Sequence, residues 1–327
     1  MLDIDSRTVD SGIPGVRVFK HLPSNFDPHQ ASDWELAAHG LPIRPDPRQH
    51  RRAHAEWEKI ITGKYQRVFP SLFKIDRNHA PCIRLSETHT GQRSMSGTSS
   101  NWSGIVIDDP SNPFAVRNVA IQGTWSVPRT AFNVLGISNN TSIWVGIDGS
   151  NSPDVLQAGV DVANGIGVPH AYAWIEWYPQ TAVGVDSNQF PVEFGDIISV
   201  QVTFASDFRP EQGTVGMVNQ TKRLYFSGAL STGILSATKL VGNCVEWIVE
   251  RPTINGQICG LAEYGVVNML DCQVLMPNGQ RYFPGEAPTG TTIDFTMLQN
   301  GAAVSEAPVI SAAPTNLADG IRFVCTL

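Results

Sequence analysis

Charged residues are scarce in this chain of 327 residues, and no apolar run is long enough for a membrane helix. Asp, Glu, Lys and Arg make up only 16% of the sequence, against about a quarter in an average globular protein. The apolar stretches fall short of the roughly 20 residues that a membrane-spanning helix needs. The start of the chain also lacks the basic and apolar regions of a secretory signal. We therefore expect a soluble, globular protein whose sequence does not support export.

Cysteine and histidine patterns typical of metal sites are also missing. The chain has no C-x-x-C pair and no H-E-x-x-H motif, and neither a P-loop nor a dinucleotide-binding glycine pattern occurs. We therefore expect no metal and no cofactor. Five cysteines are present, at Cys82, Cys244, Cys259, Cys272 and Cys325. One or two disulfides near the C-terminus and free buried cysteines are about equally compatible with their spacing.

The few charges are divided unevenly along the chain. Residues 1–98 carry fourteen Lys and Arg against eleven Asp and Glu, whereas residues 99–327 carry nine against nineteen, so the net charges are +3 and −10. The acidic part is a poor match to nucleic acid. It also holds only one of the eight histidines, His170. Because this residue follows Pro169 in a predicted loop, we do not expect a Ser-His-Asp or Cys-His site.

The first 98 residues have the pattern of a small helical segment. Ser32 and Glu35 form a capping-box pair before a short helix that is expected to end at Gly40. A second helix is predicted in RQHRRAHAEWEKIITG, after the proline-rich LPIRPDP. The stretch GQRSMSGTSS at 91–100 is rich in Gly, Ser and Thr, which is typical of a linker. We expect a separate domain at 99–327.

Beyond the linker the sequence predicts an all-β fold. Short apolar or alternating runs recur between turn signals, for example SIWVGIDG, AYAWIEWYP and CVEWIVE. Runs of this length and spacing indicate a sandwich or a barrel.

Alternation along these strands predicts one apolar face and one face rich in aromatic and polar groups. In VLQAGVD, Leu156 and Ala158 share a side, and Gln157 lies on the other. In CVEWIVE, Glu246 likewise lies opposite Trp247. Further residues of the polar face are Trp144, Asp148, Asp161, Tyr172, Trp174, Glu176, Tyr178 and Glu250. A solvated outer surface is one interpretation, but several large aromatic side chains favour a binding face.

Six segments of this part resemble the eqolisin family of glutamic peptidases. They occur in the family's order: NWSG (101–104), GTWSVP (123–128), WVGIDG (144–149), VLQAGVD (155–161), AWIEWYP (173–179) and VEWIVE (245–250). The resemblance implies a lectin-like jelly roll, an antiparallel β-sandwich of two large sheets, and a catalytic pair that matches Gln157 and Glu246. It also implies a substrate cleft with Asp161 and Glu250 at further acidic positions. The residues expected to bind substrate are Trp102, Trp144, Asp148, Trp174, Glu176 and Tyr178.

The two residue types of the pair suit the hydrolysis of a peptide bond. Partial burial raises the pKa of a glutamate, and as a carboxylate Glu246 can take a proton from the attacking water and pass it to the leaving amine. Gln157 does not titrate, so its amide N–H can stabilise the oxyanion at any pH. Since the cleft already holds several carboxylates, we expect an endopeptidase that acts in acid.

Two interpretations of residues 1–98 remain open. The preferred one is an inhibitory pro-region, cut within 85–100, because its positive charge opposes the acidic body and its seven histidines gain charge as the carboxylates lose theirs. The other is a permanent extension packed on the sandwich. The resemblance implies protein or peptide substrates and a secreted or other acidic extracytoplasmic location. We expect a monomer that binds neither nucleic acid nor membrane.

Two other activities remain as alternatives because they use the same face. A carbohydrate-binding sandwich would stack sugars on Trp144 and Trp174, and it would be indifferent to the substitution Gln157→Ala. A glycoside hydrolase would need two facing carboxylates, such as Glu176 and Glu246.

Overall fold

The computed structural model describes residues 3–89, 94–108, 119–130, 139–164, 169–205, 212–232, 240–242, 244–276, 279–286, 292–310 and 319–327. Within these ranges lie two α-helices, α1 (Asp33–Ala38) and α2 (Arg51–Ile61), one 3₁₀ turn at Asp5–Arg7, and 25 strands. Neither of the two helices is long and apolar enough to cross a membrane.

The strands are spread over the whole chain, including its first hundred residues. Those before residue 100 are β1 (Thr8–Asp10), β2 (Val16–Phe19), β3 (Gln66–Arg67), β4 (Leu72–Lys74), β5 (Arg84–His89) and β6 (Ser94–Ser99). Those that follow are β7 (Trp102–Asp108), β8 (Val119–Ser126), β9 (Asn139–Ile147), β10 (Val155–Asn164), β11 (His170–Tyr178), β12 (Val183–Val185), β13 (Ile197–Phe204), β14 (Gln212–Asn219), β15 (Leu224–Ser231), β16 (Cys244–Glu250), β17 (Thr253–Ile254), β18 (Gln257–Ile258), β19 (Gly260–Leu261), β20 (Val266–Leu275), β21 (Arg281–Tyr282), β22 (Thr292–Gln299), β23 (Ala302–Glu306), β24 (Val309–Ile310) and β25 (Gly320–Cys325).

Two large sheets pack together as a sandwich. The front sheet has the order β5-β6-β22-β7-β16-β9-β10-β11-β12-β4, and the back sheet has the order β1-β2-β15-β14-β13-β8-β20-β25. Neighbours in both orders are antiparallel, apart from β6 and β22. β23 pairs with both β22 and β25, and so joins the two sheets at one edge. The predicted antiparallel β-sandwich is confirmed.

Alternating residues of the front sheet form the core against the back sheet. Leu156 and Ala158 of β10 and Val245 and Trp247 of β16 are buried in one cluster with apolar residues of the back sheet, such as Val200. Full burial of an aliphatic side chain of this size stabilises the fold by about 1.5–3 kcal/mol. The face predicted to be apolar therefore lies between the sheets, and the polar face is on the other side of the front sheet.

The N-terminal segment contains the two predicted helices. α1 begins with the predicted capping box, in which the Ser32 hydroxyl accepts from the Glu35 N–H and the Glu35 carboxylate accepts from the Ser32 N–H. After this helix the chain turns at Gly40, whose φ of +65° is unfavourable for residues with a side chain.

The segment also contributes strands, which the sequence reading did not anticipate. β2 and β3 both pair with β15 of the back sheet, and β4 pairs with β12 of the front sheet. The predicted linker is wrong for residues 94–99, because they form β6 and pair with β22 along its length. Residues 90–93 lie outside the described residues. Small polar residues can form a β-strand as well as a loop when a partner strand is available for hydrogen bonding.

The cysteines form no disulfide. All five are free thiols, two of them fully buried. Of the two possibilities left open by the sequence, the structure has the free cysteines.

Candidate active site

Gln157 and Glu246 lie on either side of one glycine in the front sheet. Gln157 of β10 and Glu246 of β16 both pair with Gly146 of the strand between them, β9. Residues directly opposite each other in a sheet point to the same face. Both side chains therefore rise from the outer face, with their Cα atoms about 10 Å apart across two strand spacings. The sheet register brings this pair together from positions 89 residues apart in the sequence.

Gly146 leaves a gap between the two side chains. A Cβ atom at this position would lie 2.7 Å from the ring of Trp144 and 2.9 Å from Oε1 of Glu246. Both distances are shorter than real carbon contacts, so even alanine would displace one of the two groups. The absence of a side chain keeps the space beside the Glu246 carboxyl group open.

The carboxyl group of Glu246 is buried and poorly solvated. Its side chain is 0% exposed, and neither oxygen accepts a hydrogen bond from an N–H or O–H group within the described part of the chain. Its near polar neighbour is the thiol of Cys244, a weak donor. Burial, and then the negative charge of Asp148, raise the pKa of Glu246 well above its ordinary value. In this state the group holds its proton under mildly acidic conditions.

A second group of side chains forms a pocket beside Gln157. We call it the acidic aromatic pocket, and it consists of Asp161, Tyr172, Trp174 and Glu176. Its residues are at most 9% exposed. The Tyr172 hydroxyl donates to Asp161 at 2.9 Å, and the Ser142 hydroxyl also donates to Asp161.

The imidazole of His79 fills the acidic aromatic pocket. Its ring is parallel to that of Trp174, with 3.5 Å between the ring centroids. Nε2 lies 3.1 Å from Asp161 and Nδ1 lies 2.9 Å from Glu176. Burial opposes a charged ring, but the two carboxylates outweigh it and raise the pKa of His79 to about 10. The ring is therefore an imidazolium at neutral and acidic pH.

The pKa values of the two carboxyl groups in this pocket are shifted in opposite directions. Burial acts against ionisation of Asp161, but His79 and Arg77 overcome it and hold the pKa of Asp161 below its usual value. For Glu176, burial dominates and raises the pKa. Burial likewise raises the pKa of Glu250, whose carboxylate accepts from the Trp144 indole N–H at 2.9 Å.

His79 belongs to a stretch of chain that crosses the outer face of the front sheet. We call residues 77–83 the cleft segment. The Gln157 amide donates to the carbonyl oxygen of His79 at 2.6 Å, and the Trp102 indole N–H donates to the carbonyl oxygen of Ala80 at 3.0 Å. Further along, the Cys82 N–H donates to the carbonyl oxygen of Gly149 at 2.9 Å. The segment thus follows the face from the acidic aromatic pocket to the β7 side.

The remaining predicted residues also lie on or beside this face. Trp102, Trp144, Trp174 and Glu176 are each 0% exposed, and Tyr178 packs at the margin of the same cluster. Asp148 stands just past the end of β9, where its carboxylate accepts from the Gly242 N–H at 2.7 Å. The solvated-surface interpretation is wrong, since the chain's own cleft segment covers these side chains.

The sequence reading missed the residues that come from the N-terminal segment. His79 and Arg77 precede every matched motif, so no local pattern connected them with Glu176 or Asp161. The only signal was general: an N-terminal part with positive charge and most of the histidines, opposite an acidic body. Gly146 stood within the quoted WVGIDG motif, but its role became visible only from the strand register.

Among the residues that the structure describes, one group has the spacing of a cation site, and it lies away from the cleft. His50, Asp271 and Asp319 place their ligand atoms within 4.8 Å of one another. His50 precedes α2, while the two aspartates belong to β20 and to the residue before β25. The described residues around Gln157 and Glu246 form no such group.

A family model matches the part of the chain that holds Gln157 and Glu246. The model of the Peptidase A4 family matches residues 100–314, which is well over half of the chain. The chain belongs to the Peptidase A4 family. The resemblance to the eqolisins is thereby confirmed, and the protein is a peptide hydrolase. Membership decides against the sugar-binding and sugar-hydrolysing alternatives.

Solved structures of other members share the fold. Scytalido-glutamic peptidase with a transition state analog inhibitor is 22% identical, with a TM-score of 0.56, and the match covers 69% of this chain and 98% of that chain. SCP-B, an eqolisin in complex with the tripeptide Ala-Ile-His, is 20% identical, with a TM-score of 0.52 and the same coverage. At this identity the likeness establishes the fold of this A4 peptidase and no more. No curated protein matches the chain.

Proposed function

We propose that this A4 peptidase is an acid-acting endopeptidase with a Gln157–Glu246 dyad. One observation carries the proposal. The Gln157 amide donates to a peptide carbonyl oxygen, that of His79, on the face where the unpartnered carboxyl group of Glu246 lies. Buried polar atoms without partners are rare in folded proteins, and they are typical of sites that bind a missing group. A substrate carbonyl and a water molecule are the groups that peptide hydrolysis requires here.

The two side chains divide the chemistry between them. Ionised Glu246 takes a proton from water as the water oxygen attacks the carbonyl carbon, and Gln157 donates to the oxygen as it becomes negative. Glu246 then passes its proton to the amide nitrogen of the leaving group, and the carbon–nitrogen bond breaks. Gln157 can donate its hydrogen bond to the developing oxyanion at any pH, because an amide does not titrate.

The pKa of Glu246 depends on whether the cleft segment covers it, and so does its ability to act as a base. With the cleft segment in place, burial and the negative charge of Asp148 raise the pKa of Glu246 well above its ordinary value, which disfavours the carboxylate that acts as the base. When the segment leaves, water reaches the carboxyl group, the desolvation effect falls, and the carboxylate forms at lower pH. The neighbouring Asp148, Asp161 and Glu176 carry less negative charge in acid, so acid is the favoured range for catalysis.

The contacts of the cleft segment support the inhibitory interpretation of residues 1–98. Its backbone occupies the hydrogen-bond donors of Gln157 and Trp102, and the His79 ring fills the acidic aromatic pocket. A peptide substrate cannot reach the same groups while the segment is in place. We propose that the N-terminal segment keeps the monomeric enzyme inactive until it enters an acidic extracytoplasmic compartment.

The test is cleavage of a denatured protein by the full-length chain between pH 2 and 7. We expect Glu246→Gln to lower the rate by roughly 10²–10⁴-fold, the usual worth of a general base. Gln157→Ala is expected to lower it by roughly 10²–10³-fold, as for the loss of one oxyanion donor. Circular dichroism must show that each variant keeps its fold.

Matched substitutions on the surface serve as controls. Glu263→Gln and Gln257→Ala make related side-chain changes at exposed positions, and both are expected to retain wild-type activity. Full activity in either cleft variant would refute the proposed dyad, although the peptidase family would still stand.

A further inference from the structure

We propose that His50, Asp271 and Asp319 form a binding site for Zn²⁺, and that the ion fastens the N-terminal helical segment to the back sheet. We call these three residues the cation cluster. The proposal goes beyond the peptidase chemistry, because the cluster lies away from Gln157 and Glu246. It assigns a structural role to the ion and no part in hydrolysis.

The imidazole ring of His50 is the main observation behind the proposal. The residue is 3% exposed, and neither Nδ1 nor Nε2 makes a hydrogen bond within the described part of the chain. Nδ1 lies 3.4 Å from Oδ2 of Asp319 and 3.9 Å from Oδ1 of Asp271. A buried polar atom without a partner is rare in folded proteins. A metal ion between the ring and the two carboxylates would give Nδ1 the partner that it lacks.

The distances in the cation cluster suit a shared ion better than direct hydrogen bonds. An N–H···O bond usually measures about 2.7–3.2 Å, and both contacts of Nδ1 are longer. Ligands arranged tetrahedrally at about 2.0–2.1 Å from zinc lie roughly 3.3 Å from one another. The contact of 3.4 Å between His50 and Asp319 matches this separation, and all three ligand atoms lie within 4.8 Å of one another. Asp271, whose side chain is 18% exposed, can close the remaining gap by a small shift.

The ligand types favour zinc over the hard cations. Imidazole nitrogen is a good ligand for Zn²⁺, whereas Ca²⁺ and Mg²⁺ prefer oxygen ligands only. Three protein ligands leave a fourth position for water. Among the described residues, His50 is the only basic side chain within 4.0 Å of the Asp271 carboxylate. A divalent cation would neutralise the negative charge that the two aspartates bring together.

The three ligands stand on backbone that is already fixed. Asp271 belongs to β20 and Asp319 directly precedes β25, and these two strands are antiparallel neighbours. The Cys272 N–H donates to the carbonyl oxygen of Asp319 at 2.9 Å, which holds the two aspartates side by side. His50 directly precedes α2, and its N–H donates to the Asp46 carbonyl oxygen at 2.8 Å. Ligands on rigid elements keep the geometry that a metal ion requires.

The cation cluster has an entry path from the surface. Asp271 lines a groove together with Arg52 and Trp125, whereas His50 and Asp319 are buried beneath it. A metal ion therefore enters past Asp271, and the water in the fourth position faces the groove.

An ion at this position joins parts of the chain that are far apart in sequence. His50 belongs to the N-terminal segment, and both aspartates belong to the last quarter of the chain. A ligand that binds only the folded state stabilises it by mass action. Zinc should therefore strengthen the contact between α2 and the back sheet. No local motif predicts this set, because its members come from three separate stretches of sequence.

The experiment is a calorimetric titration of the full-length chain with ZnCl₂ at pH 7, after dialysis to remove bound metal. We expect tight binding of one Zn²⁺ per chain, a midpoint of thermal unfolding that rises with the zinc concentration, and slower hydrogen exchange of the amides of α2. His50→Gln and Asp271→Asn each remove a ligand. Each should weaken zinc binding by at least the roughly 10–100-fold that loss of an outer-shell partner costs. His29→Gln changes an exposed histidine beside Glu58, and this control should bind zinc as wild type does.

Two variants keep the test decisive if one of them fails to fold. Asp271 is partly exposed, so Asp271→Asn should keep the circular dichroism of wild type even if His50→Gln does not. The proposal is overturned if wild type binds no zinc, or if its tightest zinc affinity is unchanged in a folded Asp271→Asn. Tighter binding of CaCl₂ than of ZnCl₂ would contradict ligation by the imidazole nitrogen. Each of these results leaves the peptidase proposal standing, because the titration does not measure hydrolysis.

Discussion

The two faces of the front sheet are built from the same strands and are equally buried, yet they differ in chemistry. On the inner face, Trp247 is fully buried and its indole N–H donates to the Gln122 carbonyl oxygen at 2.8 Å. On the outer face, Trp174 is equally buried, but its indole N–H has no partner among the described residues. Burial alone therefore does not separate a core from a binding site.

The difference lies in what covers each face. The back sheet covers the inner face with apolar side chains, and the cleft segment covers the outer face mainly through hydrogen bonds and ion pairs. Several buried polar atoms of the outer face lack a hydrogen-bond partner within the described chain: Gln157 Oε1, Trp174 Nε1, Glu176 Oε1, both carboxyl oxygens of Glu246, and Glu250 Oε1. A permanent core rarely tolerates so many. The outer face is therefore suited to exchange its cover for a substrate.

The largest expected effect comes from a matched pair of tryptophan substitutions. Trp247→Ala on the inner face should lower the free energy of unfolding by about 3–5 kcal/mol, since it leaves a cavity between two sheets. Trp174→Ala should cost clearly less, because the cleft segment can lift and admit water. Chemical denaturation of both variants measures the difference. Equal losses would contradict the view that only the inner face is a permanent core.

A smaller effect is expected from filling the gap at Gly146. Gly146→Ala puts a methyl group within 2.9 Å of the Glu246 carboxyl group and 2.7 Å of the Trp144 ring. We expect the rate of peptide cleavage to fall by roughly 10²–10³-fold, similar to the loss of an oxyanion donor. The overpacking beside the buried Trp144 ring should also lower the free energy of unfolding by about 1–3 kcal/mol.

The control for this change is another glycine of the sheets. Gly216→Ala places a methyl group in open space on β14 and should leave the activity unchanged. If Gly146→Ala has normal kcat and KM, the space beside Glu246 has no part in the reaction.

Removing the ring that fills the acidic aromatic pocket should weaken the cover of the outer face. In His79→Ala the stacking on Trp174 and both carboxylate contacts are lost. We expect the initial rate on a small peptide, measured before any processing, to rise about tenfold for each 1.4 kcal/mol of lost docking. His21→Ala, at an exposed N-terminal position, is the matched control. An unchanged initial rate in His79→Ala would mean that the segment does not limit access.

The mildest perturbation is a change of pH. The ordinary pKa of histidine is 6.5, and that of His79 is raised to about 10, so its stabilising effect is complete below pH 6.5 and is lost as the pH rises towards 10. The pKa of Asp161 is lowered from 3.8, so its effect is complete above about pH 3.8 and is lost as the pH falls further. The ion pair should hold the cleft segment best between about pH 4 and 6.5.

Hydrogen exchange of residues 77–83 measures this dependence. Protection should decline on both sides of the window in an uncut chain such as Glu246→Gln. Adding His79→Gln should remove the loss on the alkaline side, because that side chain does not titrate. A flat profile with His79 present would contradict the assigned ion pair.

Much of the sandwich followed from local sequence. The alternation in VLQAGVD and CVEWIVE assigned Leu156 and Trp247 to the core and put Gln157 and Glu246 on the other face, because successive residues of a strand must point to opposite sides. The capping box at Ser32 and Glu35 located α1, since it needs only four neighbouring residues. The linker prediction failed at Ser94–Ser99, because pairing with a distant strand overrode a composition typical of loops.

The sequence by itself determined the alternating faces, the helix starts and the motifs that mark the A4 family, all of which depend on residues close together in the chain. Only the tertiary structure decided that Gln157 and Glu246 share Gly146 as a neighbour, and that the backbone of His79 contacts Gln157. The strand order brings together Gly146 and Glu246, which are 100 positions apart, and the path of the N-terminal segment depends on contacts between residues 78 and 97 positions apart. The periodicity of the sequence does not predict such contacts, because they form and stabilise the protein only once the whole sandwich has folded.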